Sequence, residues 1–154
     1  MRLRVHSVAG KMPAWVQAGV DEYGKRLPRE WAVEWVDLPL AKRSKNVKTL
    51  DVIAQETDRL LKSVRNDHLV LLDISGKNWS TEELAESMAA WQHAARDVSL
   101  VIGGPDGVDD RLRQRADQRW SLSRLTLPHP LVRVLLAEQI YRGFTVLQGH
   151  PYHK

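Results

Sequence analysis

Apolar residues change period several times along the chain, and each change marks an element. Leu3 to Val8 alternates with polar neighbours and reads as a strand. Pro13 then opens a helix at its first position, where a missing N–H costs nothing. Trp15, Gly19 and Tyr23 fall four apart along it, with Val16, Val20 and Leu27 beside them. Alternation returns from Trp31 to Leu38, which predicts a second strand. After a basic loop, Leu50, Ala54, Thr57, Leu61 and Val64 keep helical spacing. His68 to Asp73 is almost wholly apolar and predicts a strand covered on both faces. Ser80-Thr81-Glu82-Glu83 is a capping box, so a helix starts there and carries Leu84, Met88 and Trp91. Asp97 to Ile102 predicts a fourth strand, ending in Gly103-Gly104-Pro105-Asp106-Gly107. A short arginine-rich helix over 109–118 and a fifth strand from Trp120 to Leu127 follow. Pro128-His129-Pro130 turns the chain into a last helix, Leu131 to about Leu147.

Strands and helices alternate five times, with each connection long enough for a crossover helix. The expected fold class is α/β, a mainly parallel sheet with helices on both faces. No repeat or linker interrupts the pattern, so residues 1–154 are expected to form a single domain. The last helix is apolar around more than one face, through Leu131, Val132, Val134, Leu135, Leu136, Ile140, Tyr141 and Phe144. Either it is internal or it packs against a second copy of the chain. Trp15 and Trp91 sit at core-facing helical spacings, Trp31, Trp35 and Trp120 in strand patterns, and Trp79 is the one expected to be exposed.

Composition narrows the class. The 43% apolar and 27% charged residues are those of an ordinary globule. No apolar run approaches the roughly 18 residues of a membrane span, and the N-terminus lacks a signal peptide's apolar core. The chain has no cysteine, which excludes disulfides, thiolate metal sites and a cysteine nucleophile and suits a cytoplasmic location. Net charge is only +4, but cations cluster. Lys42, Arg43, Lys45 and Lys48 lie in a stretch without acids, and six arginines between Arg111 and Arg133 face one acid, Asp117. Clusters of this kind point to a polyanion partner, with simple solubility as the alternative.

In a parallel sheet, ligands bind beyond the carboxyl ends of the strands. Three such ends stand out: Leu72 to Lys77, Gly103 to Gly107, and Ser121 to Pro130. The glycine loop matches no dinucleotide or phosphate-loop fingerprint. It is either a tight turn or a place where backbone meets a close-packed ligand. His150 and His153 are spaced HxxH, but without HExxH or cysteine no metal site is expected. No G-x-S-x-G elbow supports a serine triad.

Taken together, several segments resemble one family along the whole chain. They are Lys11-Met12-Pro13, Lys42-Arg43, Leu72-Asp73 with Gly76-Lys77, Ile102 to Gly107, Trp120 to Ser123, Leu125 to Arg133, Glu138, Tyr141-Arg142 and His150-Pro151-Tyr152-His153. The family is the RlmH family of bacterial 23S rRNA pseudouridine N3-methyltransferases, in the SPOUT superfamily. The resemblance implies a C-terminal trefoil knot, an obligate homodimer and S-adenosylmethionine as methyl donor, with no metal. It implies methylation of N3 of a pseudouridine in assembled ribosomes, in the stem-loop that faces the small subunit near the decoding site. A non-catalytic RNA-binding α/β protein, or a SPOUT enzyme acting on transfer RNA, are the alternatives.

Residue by residue, the resemblance places the cofactor against Leu72, Asp73, Gly103, Gly104, Ser123, Arg124, Leu125, Thr126, Leu127 and Pro128, mainly through backbone groups. The imide N3 carries a proton and is a poor nucleophile until that proton leaves. A base or cationic stabiliser is therefore expected nearby. His129, Arg142, Tyr152, His153 and Lys154 are the candidates. Lys154 departs from the family pattern, where arginine is expected, and loses a planar two-pronged contact. The Lys42, Arg43, Lys45 cluster is expected to touch RNA and to leave the cofactor site untouched.

Overall fold

The sheet is wholly parallel and its strands run in the order β2-β1-β4-β3-β5. The computed structural model describes all residues, 1–154. The strands are β1 Leu3–Val8, β2 Val33–Leu38, β3 His68–Asn78, β4 Val98–Ile102 and β5 Gln118–Ser121. The helices are α1 Ala14–Gly24, α2 Thr49–Val64, α3 Thr81–Ala94, α4 Asp110–Arg115 and α5 His129–Leu147.

Alternation along the strands divides the core in two. Leu3 and Val5 of β1, Val70 of β3 and Leu100 of β4 pack with Leu84 and Met88 of α3 and Leu136 and Ile140 of α5. Val8, Leu69, Leu71 and Val101 face the other way, onto Leu60 and Val64 of α2 and Leu112 of α4. Every residue of β4, the central strand, is buried. The capping box forms: Ser80 Oγ accepts from Glu83 N at 3.1 Å, and Glu83 accepts from Ser80 N at 2.8 Å.

The fold class is as expected, but several elements differ in detail. β5 ends at Ser121, not Leu127. Ser121 Oγ donates to Ser123 O and Leu125 N donates to Ser123 Oγ, both at 2.9 Å, so hydroxyls turn the chain where a strand would continue. β3 runs on to Asn78 through a register shift between Leu72 and Lys77. Gly76 permits that irregularity, since a Cβ there would sit 2.7 Å from the carbonyl carbon of Arg119. α2 is rotated from the face expected: it buries Val52, Glu56, Thr57, Leu60 and Val64, and leaves Leu50 78% exposed.

Three tryptophans also correct the sequence reading. Trp15 is 52% exposed, because α1 buries Val16 and Val20 instead. Trp31 lies in a 3-10 turn, Arg29–Trp31, ahead of β2, though still buried. Trp79 is not left in solvent: it stacks on Trp120 with ring centroids 4.9 Å apart. α5 lies between α1 and α3, so it is neither internal all round nor free. Leu131 and Leu135 remain exposed on it.

Candidate active site

The carboxyl ends of β3, β4 and β5 open into a cleft of about 400 Å³. Its walls are the three segments singled out in the sequence. Leu72 and Asp73 come from β3, Gly103, Gly104, Pro105 and Gly107 from the loop after β4, and Ser123, Leu125, Thr126 and Leu127 from the turn after β5. The volume suits a nucleoside-sized ligand. Of the expected cofactor residues, Arg124 and Pro128 do not line it. Ile102, Val108, Arg113, Trp120 and Val132 line it from outside the three segments and were not expected. Arg113 and Val132 come from α4 and α5, and no local pattern announces that they reach the same space.

Asp73 is fixed at the rim. Its carboxylate accepts from Ser75 N at 3.0 Å and Ser75 Oγ at 2.9 Å, from Arg119 Nη2 at 2.9 Å and from Arg113 Nε at 3.2 Å. Burial pushes this carboxyl up, but those hydrogen bonds outweigh it and hold the group below its ordinary range. The glycine loop is closed by Gly107 N on Gly104 O at 2.9 Å, with Gly107 at φ 89°. Only glycine holds that conformation without strain.

The five residues considered for the proton step do not come together. His129 opens α5, and its Nε2 accepts from Arg133 Nε at 2.9 Å. Arg133 is itself buried and reaches Ser7 Oγ at 2.7 Å and Asp37. Burial, then the charge of Arg133, push the His129 imidazole down to about 4. That nitrogen already holds a donor, so its lone pair is not free to accept the imide proton.

The other four lie at the far end of the same helix. Arg142 donates to Glu138 Oε1 from Nε at 2.9 Å and from Nη2 at 2.6 Å, the i to i+4 pairing of a helix face. Tyr152, in the 3-10 turn Pro151–His153, donates its hydroxyl to the same oxygen at 3.1 Å. Its ring meets Tyr141 edge-on at 4.7 Å and lies 5.0 Å beneath the Arg142 guanidinium. Burial and then the bond to Glu138 push the Tyr152 hydroxyl up, so it stays protonated at neutral pH. His153 Nδ1 is buried without a partner and Lys154 is exposed. Glu138, which organises this group, carried no expected role. No tail residue lines the cleft, and Val132 and Arg142 are about 15 Å apart along α5.

A parallel α/β sheet with a ligand cleft beyond three strand ends and no helix long and apolar enough to cross a membrane defines the general class. Residues 1–153 match the family described as "Predicted SPOUT methyltransferase", and the chain belongs to that family. It is similar over its whole length to proteins named "Ribosomal RNA large subunit methyltransferase H". The Saccharophagus degradans protein is 54% identical, covering 100% of both chains. The Hahella chejuensis protein is 50% identical, covering 100% of this chain and 99% of that one.

Two solved structures share the fold. A probable methylase family protein from Haemophilus influenzae Rd KW20 superposes with TM-score 0.61 at 11% identity, over 99% of this chain and 70% of that one. The transfer RNA (m1G37) methyltransferase from Aquifex aeolicus superposes with TM-score 0.52 at 12% identity, over 92% and 70%.

Proposed function

We propose that the protein transfers a methyl group from S-adenosylmethionine to N3 of a pseudouridine in 23S ribosomal RNA, acting as a homodimer on assembled ribosomes. The observation that carries this reading is full-length similarity to proteins named for large-subunit ribosomal RNA methylation, in a chain whose cleft is built from the three strand-end segments. The C-terminal knot belongs to the same reading and involves the segment from β5 through 122–128 into α5.

The cleft fits the cofactor by size and by lining, with glycine backbone on one wall and Leu72, Ile102 and Leu122 on others. Backbone groups of Leu72, Gly103, Gly104 and the turn 123–127 would hold it. When bound, the cofactor supplies an electrophilic methyl group. The protein's part is alignment and management of the imide proton. His129 is an N-terminal anchor of α5 in this scheme. His153, in the tail turn, is the candidate to accept the proton once the tail meets the substrate. Lys154 supplies positive charge beside the developing imide anion, while Arg142, held by Glu138, orients the Tyr152 ring.

The separation of tail and cleft in one chain supports a site shared between two. Trp15 on α1 and Leu131 and Leu135 on the neighbouring α5 are exposed at 52%, 44% and 38%, an apolar surface suited to a second copy.

Labelled methyl transfer to assembled ribosomes, free subunits and transfer RNA, run in parallel, tests the reaction. Label is expected on 23S RNA of assembled ribosomes at N3 of one pseudouridine. Label on transfer RNA, or none at all, defeats the reading. Deleting 150–154 is expected to abolish turnover while cofactor binding persists. Mixed dimers of that deletion with a cleft-blocking Thr126→Trp chain are expected to regain activity; silent mixed dimers would place tail and cleft in the same chain.

A further inference from the structure

Glu56 occupies a position in α2 where the helix repeat calls for an apolar residue, between Val52 and Leu60, and it is 1% exposed. A buried carboxylate is tolerated only when paired and hydrogen-bonded. Here it accepts from Ala41 N at 3.1 Å and from the fork of Arg43, Nη1 at 3.2 Å and Nη2 at 2.8 Å. The same guanidinium turns its remaining edge to Asp106, with Nε at 3.2 Å and Nη2 at 3.1 Å from Oδ2. Asp106 belongs to the Gly103–Gly107 loop, whose other members line the cleft. From behind, that loop is pressed onto the same carboxylate: a Cβ on Gly104 would lie 2.7 Å from Glu56 Oε1. The missing Cβ at 104 therefore makes room for Glu56 behind the loop, while the backbone of Gly104 lines the cleft in front.

We propose that Arg43 is a positioning residue for the cleft: clamped on buried Glu56, it holds the glycine loop by Asp106 in the conformation that receives the cofactor. This rests on the cofactor reading above. It moves Arg43 out of the RNA-contacting cluster in which its lysine neighbours place it. Bridging two carboxylates needs the planar fork of arginine, which a lysine point charge does not reproduce. Glu56 is sealed in the core, whereas the Arg43–Asp106 link is open to solvent, with side chains 34% and 38% exposed. The inner half anchors and the outer half adjusts.

The test is calorimetric titration of S-adenosylmethionine into the full chain, with the melting temperature of each variant measured alongside. Arg43→Ala is expected to weaken cofactor binding about tenfold, the order of one charge-assisted hydrogen bond. Asp106→Asn is expected to weaken it less and to leave the melting temperature unchanged. The double variant is expected to bind no more weakly than Arg43→Ala alone, because both changes cut one link. Arg43→Lys is expected to fall short of wild type, and Lys62→Ala, at the other end of α2, to match it. Unchanged affinity in folded Asp106→Asn, or additive effects in the double variant, overturns the proposal. Should Arg43→Ala fail to fold, Asp106→Asn and Arg43→Lys decide it. A wild-type chain that does not bind the cofactor defeats the cofactor reading itself and this proposal with it.

Discussion

Two cation-rich stretches look alike in the sequence and behave differently in space. The arginine run from Arg111 to Arg133 is almost entirely spent within the protein. Arg111 pairs with Asp109 and Asp58, Arg113 with Asp73 and Asp110, Arg115 with Asp117, Arg119 with Asp73, and Arg133 with Asp37. Arg115 also caps the carbonyls of Arg65 and Asp67. Only Arg124, exposed beside the cleft, is left over. In the loop after β2 the balance is reversed: Arg43 is committed to Glu56 and Asp106, while Lys42, Lys45 and Lys48 are exposed and without ion pairs. Counting acids along the chain hides this, because Asp37, Asp58 and Asp73 arrive from β2, α2 and β3. A charge run is a polyanion footprint only after the fold's own acids have been subtracted.

The contrast is broken most forcefully at Arg133. Arg133→Ala removes a buried stem and frees Ser7 and His129, and is expected to cost about 2–4 kcal/mol in urea unfolding. The His129 imidazole should rise from about 4 by NMR titration, since the Arg133 charge is one of the causes holding it down. An unfolding midpoint equal to wild type would show that the arginine run is not structural.

The loop lysines carry the next effect. Replacing Lys42, Lys45 and Lys48 by alanine is expected to weaken ribosome binding and flatten its salt dependence, by about 0.7–0.9 in log–log slope for each phosphate that is no longer neutralised. Cofactor affinity should be untouched. Equal salt slopes for variant and wild type would assign these lysines to solubility.

A smaller, graded effect comes with pH. His6, buried between Ser63 and Ser99, is pushed down to about 4 by burial and then by Arg4, and His129 also stands at about 4. Both are neutral in the folded protein between about pH 4 and 6.5, where the unfolded chain takes up protons. Stability is therefore expected to fall as pH drops through that window, by at most about 1.4 kcal/mol per pH unit for each histidine. His6→Asn should shallow the slope. Unfolding free energies that stay level from pH 6.5 to 4 would contradict the buried neutral state.

Least of all is expected from Arg111→Ala. Its partners are surface carboxylates, so stability and the salt slope of ribosome binding should both match wild type. A reduced salt slope would return the arginine run to the RNA-binding surface.

Much of this protein is legible in one dimension, because the signals are local. Period 2 located β1, the capping box located the start of α3, and apolar runs without alternation located β3 and β4 and announced a sheet covered on both faces. The cleft was legible for a related reason: a parallel sheet puts ligands at strand ends, and glycine, serine and proline mark where strands stop. What the chain could not announce depends on residues far apart in sequence. The burial of Glu56 against Ala41 and Arg43, the pairing of the arginine run with Asp37, Asp58 and Asp73, and the capture of Arg133 by Ser7 and Asp37 join elements that only packing brings together. The tail and the cleft lie at opposite ends of α5, although His129 and the tail are part of one continuous motif-rich segment. Hydrophobic period is a property of neighbours along the chain, whereas charge pairing and site assembly are properties of neighbours in space, and the fold alone decides those.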